Sequence, residues 1–246
     1  EFQIKKIRPD IKCKLIRGKI KPTSDYSYTL TKEELANDYF LACQSRLTMD
    51  STIEVDLGDL VRMPPRTSNA LVKSTEMLTS DIMKLVIETD KEVEHNALPG
   101  MWAELSIDGL DRPRSYSFAS APKNEQPKEF TFFIRKVSGG KFTEWLFDEK
   151  RDIKQCVTIN GPFGSFYLRE KSTPIVCIAG GSGLAPIKSL LEGGVLNQAK
   201  RDVVFLFGAR TQEDLYCVKE LEEIKNGWNK DYKFDFIPVL NLSLIH

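Results

Sequence analysis

Histidine is nearly missing from this chain: His95 and His246 are the two in 246 residues. A nucleophile–histidine triad or an imidazole-rich metal centre therefore has little to draw on, and both histidines read as exposed loop residues. Charge of one sign is missing too, since Lys+Arg at 35 balances Asp+Glu at 35. No basic excess points to nucleic acid or to an anionic membrane surface. No apolar run reaches the length of a membrane-spanning helix. The opening Glu1-Phe2-Gln3-Ile4-Lys5-Lys6 lacks a signal-peptide apolar core. Cysteine is sparse and odd in number, at Cys13, Cys43, Cys156, Cys177 and Cys217. Such a scattered set argues against a disulfide framework and for a reducing, cytoplasmic setting.

Internal repeats and low-complexity tracts are absent as well. The length suits one large domain or two to three small ones. Patterning divides the chain into three segments. Residues 1–58 carry a strand-like piece (Lys12–Ile20), a short helix (Thr31–Asn37) and a strand (Thr52–Leu57). Thr31 followed three residues later by Glu34 fits a capping box. Residues 59–65, ending in Pro64-Pro65, read as a linker.

Residues 66–170 hold short alternating strands, among them Ile82–Thr89, Trp102–Ile107, Ser115–Ser120, Phe130–Lys136 and Cys156–Ile159. Turn signals stand at Pro99-Gly100, Asp108-Gly109, Lys123-Asn124 and Ser138-Gly139-Gly140, and one helix interrupts at about Lys141–Glu149. That spacing predicts an antiparallel barrel or sandwich. Residues 171–246 alternate strand and helix: a buried strand Pro174–Ala179, a helix Ala185–Leu196, a strand Val203–Phe207, a helix Glu213–Lys225 and a strand Phe234–Leu240. This order predicts a parallel sheet with right-handed crossovers. Both ends read as cut, because the chain opens in mid-pattern and closes one strand into an unfinished sheet.

Four motifs carry chemistry. Strand Pro174–Ala179 runs into Gly180-Gly181-Ser182-Gly183-Leu184-Ala185-Pro186 and then a helix. Glycines let the backbone approach a phosphate, and the helix start offers unpaired N–H groups to it. A plain tight turn is the competing reading. Arg112-Pro113-Arg114-Ser115-Tyr116-Ser117-Phe118 offers a planar cation for a diphosphate in Arg114, a flat face for a ring in Tyr116 and a small hydroxyl in Ser117; the competing reading is an edge strand. Ser138-Gly139-Gly140-Lys141-Phe142-Thr143 is a second glycine turn into a helix. Gly161-Pro162-Phe163-Gly164 reads as a turn at the barrel's end.

In this order the motifs resemble the ferredoxin–NADP reductase superfamily, in particular the reductase components of bacterial multicomponent oxygenases of the phenol hydroxylase and methane monooxygenase reductase type, over about Leu71 to Leu240. The resemblance implies a mixed fold: an antiparallel Greek-key barrel binding FAD, then an incomplete α/β parallel-sheet nucleotide domain. It implies that Arg114 and Ser115 meet FAD, with Arg114 on the pyrophosphate, that Tyr116 packs on the isoalloxazine and that Ser117 lies near N5. Ile134 and Lys136 would flank the adenosine half, and Gly139, Gly140, Phe142 and Thr143 the diphosphate. Gly180, Gly181, Ser182, Gly183, Leu184 and Pro186 would hold NADH or NADPH. Met101 stands where the family's Pro-Gly turn continues with Gln.

Gly208-Ala209-Arg210-Thr211 matches the family's second nucleotide turn. Arg210 there can meet a 2′-phosphate, or simply be a solvent-exposed arginine at a helix start; the resemblance leans to NADH. Residues 1–58 resemble the back half of a plant-type ferredoxin, a partial β-grasp segment, with Cys13 and Cys43 as remnant iron–sulfur ligands. The C-x4-C-x2-C spacing would need cysteines at 10 and 5, where Asp10 and Lys5 stand, so a 2Fe-2S cluster is not expected. The implied activity is electron transfer from NAD(P)H through FAD to an oxygenase component or other acceptor protein. The rivals are a non-catalytic flavin-binding fragment and a nucleotide-sensing regulator.

Overall fold

A computed structural model describes residues 12–25, 29–55, 65–89, 97–122, 128–149 and 156–240. The expected linker, Pro65 apart, and the turn at Lys123-Asn124 lie outside them. The chain forms two compact units, meeting at residues 62 and 63.

The first unit holds β1 (Lys12–Arg17), β2 (Ile20–Pro22), α1 (Lys32–Ala36), β3 (Tyr39–Leu41), β4 (Ser45–Leu47) and β5 (Thr52–Val55). A three-stranded antiparallel sheet runs β3-β1-β5, and β2 pairs β4. Cys13, Leu30, Phe40 and Leu41 form its small core. The single strand expected over Lys12–Ile20 is broken after Arg17. Gly18 turns there with φ +109°, and a Cβ would sit 2.3 Å from Ser51 Oγ, so only glycine fits the turn. The capping box forms: Glu34 N–H donates to Thr31 Oγ1 at 3.2 Å, and Thr31 N–H to Glu34 Oε2 at 2.8 Å.

The second unit begins with β6 (Arg66–Met77), β7 (Ile82–Thr89), β8 (Trp102–Ser106), β9 (Arg114–Ser117), β10 (Glu129–Arg135), α2 (Lys141–Phe147) and β11 (Cys156–Phe163). The six strands lie in the order β10-β7-β6-β11-β8-β9, every pairing antiparallel. A bridge between Phe118, just past β9, and Phe132 on β10 nearly closes the ring. Inward residues alternate along the strands, and Leu85, Ile87, Ala103, Leu105, Phe132, Ile134, Leu146 and Val157 are fully buried. Gly161-Pro162-Phe163 is not a turn but the end of β11, where the register with β8 shifts; the turn comes at Gly164, φ +116°.

The unit continues with β12 (Ile175–Gly180), α3 (Leu184–Leu196), β13 (Val203–Ala209), α4 (Val218–Gly227) and β14 (Phe234–Leu240), in a parallel sheet β12-β13-β14. Two expectations change. β12 is buried on one face only: Ile175, Cys177 and Ala179 pack into the core that α3 shares, while Val176 and Ile178 are 67% and 75% exposed. The helix expected over Glu213–Lys225 starts late, because Gln212–Asp214 forms a 3-10 turn and Cys217 takes a left-handed φ of 56° before α4. A left-handed residue cannot continue a right-handed helix.

Helix α3 joins the parallel sheet to the barrel. Gly100 N–H donates to Ser189 Oγ at 3.3 Å and Ala121 N–H to Glu192 Oε2 at 2.8 Å. Buried Lys188 pairs with Glu192 and donates to Ala119 O at 3.4 Å. Gly193 lets this approach happen, since a Cβ there would stand 2.4 Å from Pro99 Cγ. Overpacking of this kind costs about 1–3 kcal/mol. Gly193→Ala should therefore lower the thermal midpoint by at least about 2 °C. Gly183→Ala, at φ −64° with nothing within 4 Å, should leave it unchanged. Equal midpoints for the two variants in a thermal melt would refute this packing.

Candidate functional site

Two glycine turns, one from the barrel and one from the parallel sheet, organise the site. The first follows β10. Gly139 takes φ +72° with nothing within 4 Å of where a Cβ would be, and Gly140 closes the turn against α2. A Cβ on Gly140 would meet Thr143 Oγ1 at 2.8 Å and Val137 O at 3.0 Å. Thr143 Oγ1 accepts from Val137 N–H at 3.1 Å and lies 3.0 Å from both Val137 O and Gly140 O, locking the turn, while Gly139 N–H donates to Glu144 Oε1 at 2.9 Å.

β9 lies beside it. Its register on β8 (Leu105↔Arg114, Ala103↔Tyr116, Trp102↔Ser117) alternates the side chains, and the Phe118–Phe132 bridge carries it to β10. The Tyr116 ring meets Phe142, the second residue of α2, with centroids 5.4 Å apart. Arg114, Tyr116, Ser117, Gly139, Gly140 and Thr143 thus come together at one end of the barrel. Ser115 and Ser117 alternate with Arg114 and Tyr116 along the strand; Ser115 is exposed and Ser117 half-buried. Phe142 and Ile134 have buried side chains in the barrel core, so only their backbone can take part in a site. Lys136 is exposed, its Nζ 5.6 Å over the Phe147 ring.

Two polar groups stand out. Arg114 is held at its own loop, with Nη1 donating to Arg112 O at 2.6 Å and Nη2 3.3 Å from Asp111 Oδ1. The Trp145 indole N–H, on the same helix as Phe142, is buried and finds no acceptor among the described residues. Burial pushes the Tyr116 phenol up to about 12, with Arg114 pulling slightly the other way, so it stays a neutral donor near neutral pH.

The second turn ends β12. Gly180 is extended, Gly181 is left-handed at φ +53°, and Gly181–Gly183 wind one 3-10 turn straight into α3, with Pro186 in its first turn. Tyr216 Oη donates to Gly181 O at 2.7 Å and pins the turn. Leu184 is buried in the core, while Gly180, Gly183 and Ser182 reach solvent. Gly208 pairs with Gly180 across the sheet, which brings Arg210 to the same end.

Sequence reasoning passed over Asp81 and Arg135, and placed Tyr216 after the second nucleotide turn without giving it a role. Arg135, the last residue of β10, lies over Gly181: a Cβ there would be 3.4 Å from its Nη1. Its Nε donates to Asp81 Oδ2 at 2.9 Å, and Arg210 Nη2 reaches the same oxygen at 3.6 Å. Arg210 Nε also donates to Asp214 at 3.2 Å. No spacing rule joins these residues; the clue available was an arginine beside the marked Lys136.

Cys13 is the second residue of β1, and burial raises its thiol above the usual range. A cluster ligand must be a thiolate, and this environment disfavours it. The Cys43 side chain lies outside the described residues; its backbone belongs to the 3-10 turn Ala42–Gln44. Among the described residues no group of three or more His, Cys, Asp or Glu gathers to hold a metal, and no helix is long and apolar enough to cross a membrane. A groove of about 510 Å³ runs along β12, lined by Tyr167, Leu168, Val176, Ile178 and Arg201 among others, and includes neither glycine turn nor Arg114, Tyr116 or Ser117.

A glycine-turn barrel beside a glycine-turn parallel sheet defines a two-domain flavin- and nicotinamide-type oxidoreductase. Residues 69–167 match the oxidoreductase FAD-binding domain family, and residues 177–242 the oxidoreductase NAD-binding domain family. The chain is 35% identical over 230 residues to the xylene/toluene monooxygenase electron transfer component of Pseudomonas putida, covering 94% of this chain and 64% of that protein. It is 31% identical to the CDP-6-deoxy-L-threo-D-glycero-4-hexulose-3-dehydrase reductase of Yersinia pestis, covering 93% and 67%. The solved Amycolatopsis cytochrome P450 reductase superposes with a TM-score of 0.65 at 27% identity, over 93% of this chain and 68% of that one. The chain belongs to the ferredoxin–NADP reductase superfamily.

The Asp81 carboxyl gives a pH test of this geometry. Partial burial acts to raise its pKa, but the hydrogen bonds from Arg135 and Thr79 outweigh that and hold it below the usual carboxylate value. Its contribution is present above the unfolded value of about 3.9 and is lost as pH falls below it. Asp81→Asn should flatten the acid limb of thermal stability below about pH 4. An unchanged acid limb would show that the Asp81 pairs are not formed in solution.

Proposed function

We propose that this chain takes electrons from NAD(P)H through FAD and passes them singly to an iron–sulfur centre or an oxygenase component. The observation that carries the reading is Arg135. It leaves the strand that leads into one glycine turn and covers the glycine of the other, so a flavin cradle and a nucleotide cradle adjoin.

The residues fit a flavin. Gly139 leaves open space where a diphosphate needs close backbone approach, and a side chain on Gly140 would break the turn. Tyr116 offers a half-buried ring face braced by Phe142, and the unpartnered Trp145 N–H is a donor in the same helix. When bound, FAD supplies the two-electron acceptor and one-electron donor chemistry. Arg114 would exchange Asp111 for the diphosphate, gaining a more highly charged partner. Tyr116 packs on the ring and excludes water from one face, and Ser117 supplies a hydroxyl to the ring's edge. Gly180 to Gly183 and the first turn of α3 take the nucleotide's pyrophosphate, and Tyr216 holds that loop in shape.

We read the first unit as a partial ferredoxin-like segment from its β3-β1-β5 sheet, and assign no cluster role to Cys13. The test is the visible spectrum of the purified chain with FAD, before and after NADH under argon. Flavin bands should appear and bleach. Bands that persist with NADH would favour a flavin-binding fragment instead. Arg114→Ala should weaken FAD binding by roughly ten- to a hundredfold, the scale of a lost charge-assisted hydrogen bond. Unchanged FAD affinity in a fluorescence titration would remove Arg114 from the site.

A further inference from the structure

The Asp81 cluster lies at the nucleotide end of the parallel sheet, yet Asp81 itself belongs to the barrel, on the turn between β6 and β7. That turn is stiff. Thr79 Oγ1 accepts from the N–H of Ile82 at 3.0 Å and lies 3.0 Å from Asp81 Oδ1. In a dinucleotide-binding sheet, the end of the second parallel strand is where the adenosine ribose is read. An acidic side chain there hydrogen-bonds a free 2′-hydroxyl, and an arginine accepts a 2′-phosphate. β13 is the second strand, and Arg210 follows its last residue. Taken alone, Arg210 reads as an acceptor of the phosphate. It is not alone, because its guanidinium is 3.6 Å from Asp81 and 3.2 Å from Asp214.

We propose that Asp81 is a specificity-determining residue supplied by the barrel, which turns the nucleotide site toward NADH and against NADPH. This rests on the reading of the Gly180–Pro186 turn as a nicotinamide-nucleotide site. Asp81 acts twice. It engages Arg210 and so offsets a positive charge at the strand end that would welcome a 2′-phosphate. It also places its own negative charge where that phosphate would arrive. A phosphate monoester carries nearly two charges at neutral pH, so a unit charge a few ångströms away disfavours it even in water. A 2′-hydroxyl meets no such repulsion and can donate to the carboxylate. Arg135 holds Asp81 from the other side, with its guanidinium over Gly181. The carboxylate that reads the ribose is therefore fixed to the same strand pair that carries the flavin turn.

Calorimetric titration with NAD⁺ and with NADP⁺ tests this without any turnover. The wild-type chain should bind NAD⁺ more tightly. Asp81→Asn, which keeps the shape and removes the charge, should tighten NADP⁺ by about tenfold and change NAD⁺ by less than about threefold. Asp214→Asn, which frees Arg210 from the nucleotide-domain side, should shift the preference the same way. Adding Arg210→Gln to Asp81→Asn should abolish the NADP⁺ gain. Tighter NADP⁺ binding by the wild type, an NADP⁺ affinity unmoved in both single variants, or no binding of either nucleotide would each overturn the proposal. A flavin that NADH fails to bleach, in a chain whose nucleotide affinities shift as stated, would instead refute the electron-transfer reading and leave this one standing.

Discussion

The bridge between Phe118 and Phe132 decides where everything else in the second unit can be. Without it the six strands would be an open sheet with β9 and β10 at opposite margins. With it, the start of β9 and the residues that follow β10 become neighbours, because the two run antiparallel. Arg114, Tyr116 and Ser117 then share one end of the barrel with Gly139, Gly140 and Thr143. The three phenylalanines Phe118, Phe130 and Phe132 pack with ring centroids 5.4 to 5.8 Å apart and fill the closure with apolar surface. Barrel closure is a hydrophobic event with a chemical result: it converts two distant stretches of sequence into one cradle.

The second turn depends on the first through α3. This helix starts at the glycine loop and ends against Trp228, and along the way it gives hydrogen-bond partners to Gly100, Ala119 and Ala121 of the barrel. A loop of three glycines has little stiffness of its own. Here Tyr216 ties its carbonyl, Arg135 lies over it, and α3 anchors its far end. The backbone freedom that lets it approach a phosphate is therefore confined to the few residues that need it.

Much of the fold was legible in the sequence, and the reasons are local. Ile82–Thr89 and Phe234–Leu240 came out with the expected bounds, because their apolar content and flanking turns are read over a few residues. Thr31 and Glu34 announced their capping box. The glycine turns were visible because glycine marks backbone that other residues cannot adopt. β6 was not read as a strand, since Arg66–Met77 alternates mostly polar residues and buries only Ala70 fully. α4 was begun too early because the left-handed Cys217 leaves no pattern. The cluster of Asp81, Arg135 and Arg210 was invisible for a deeper reason. Its members are 54 and 75 residues apart, and what unites them is the packing of two sheets, which no periodicity records.

Gly193 and Gly194 stand side by side on α3, about 100° apart around its axis, and meet different neighbours, Pro99 of the barrel and Trp228 of the parallel-sheet domain. Each lacks a side chain because the partner occupies its place. The helix is thus seated by two contacts that admit no side chain, one toward the barrel and one toward the parallel-sheet domain. Its seat is set by what is missing rather than by what is there. A side chain at either position can be admitted only if its partner, Pro99 or Trp228, changes with it.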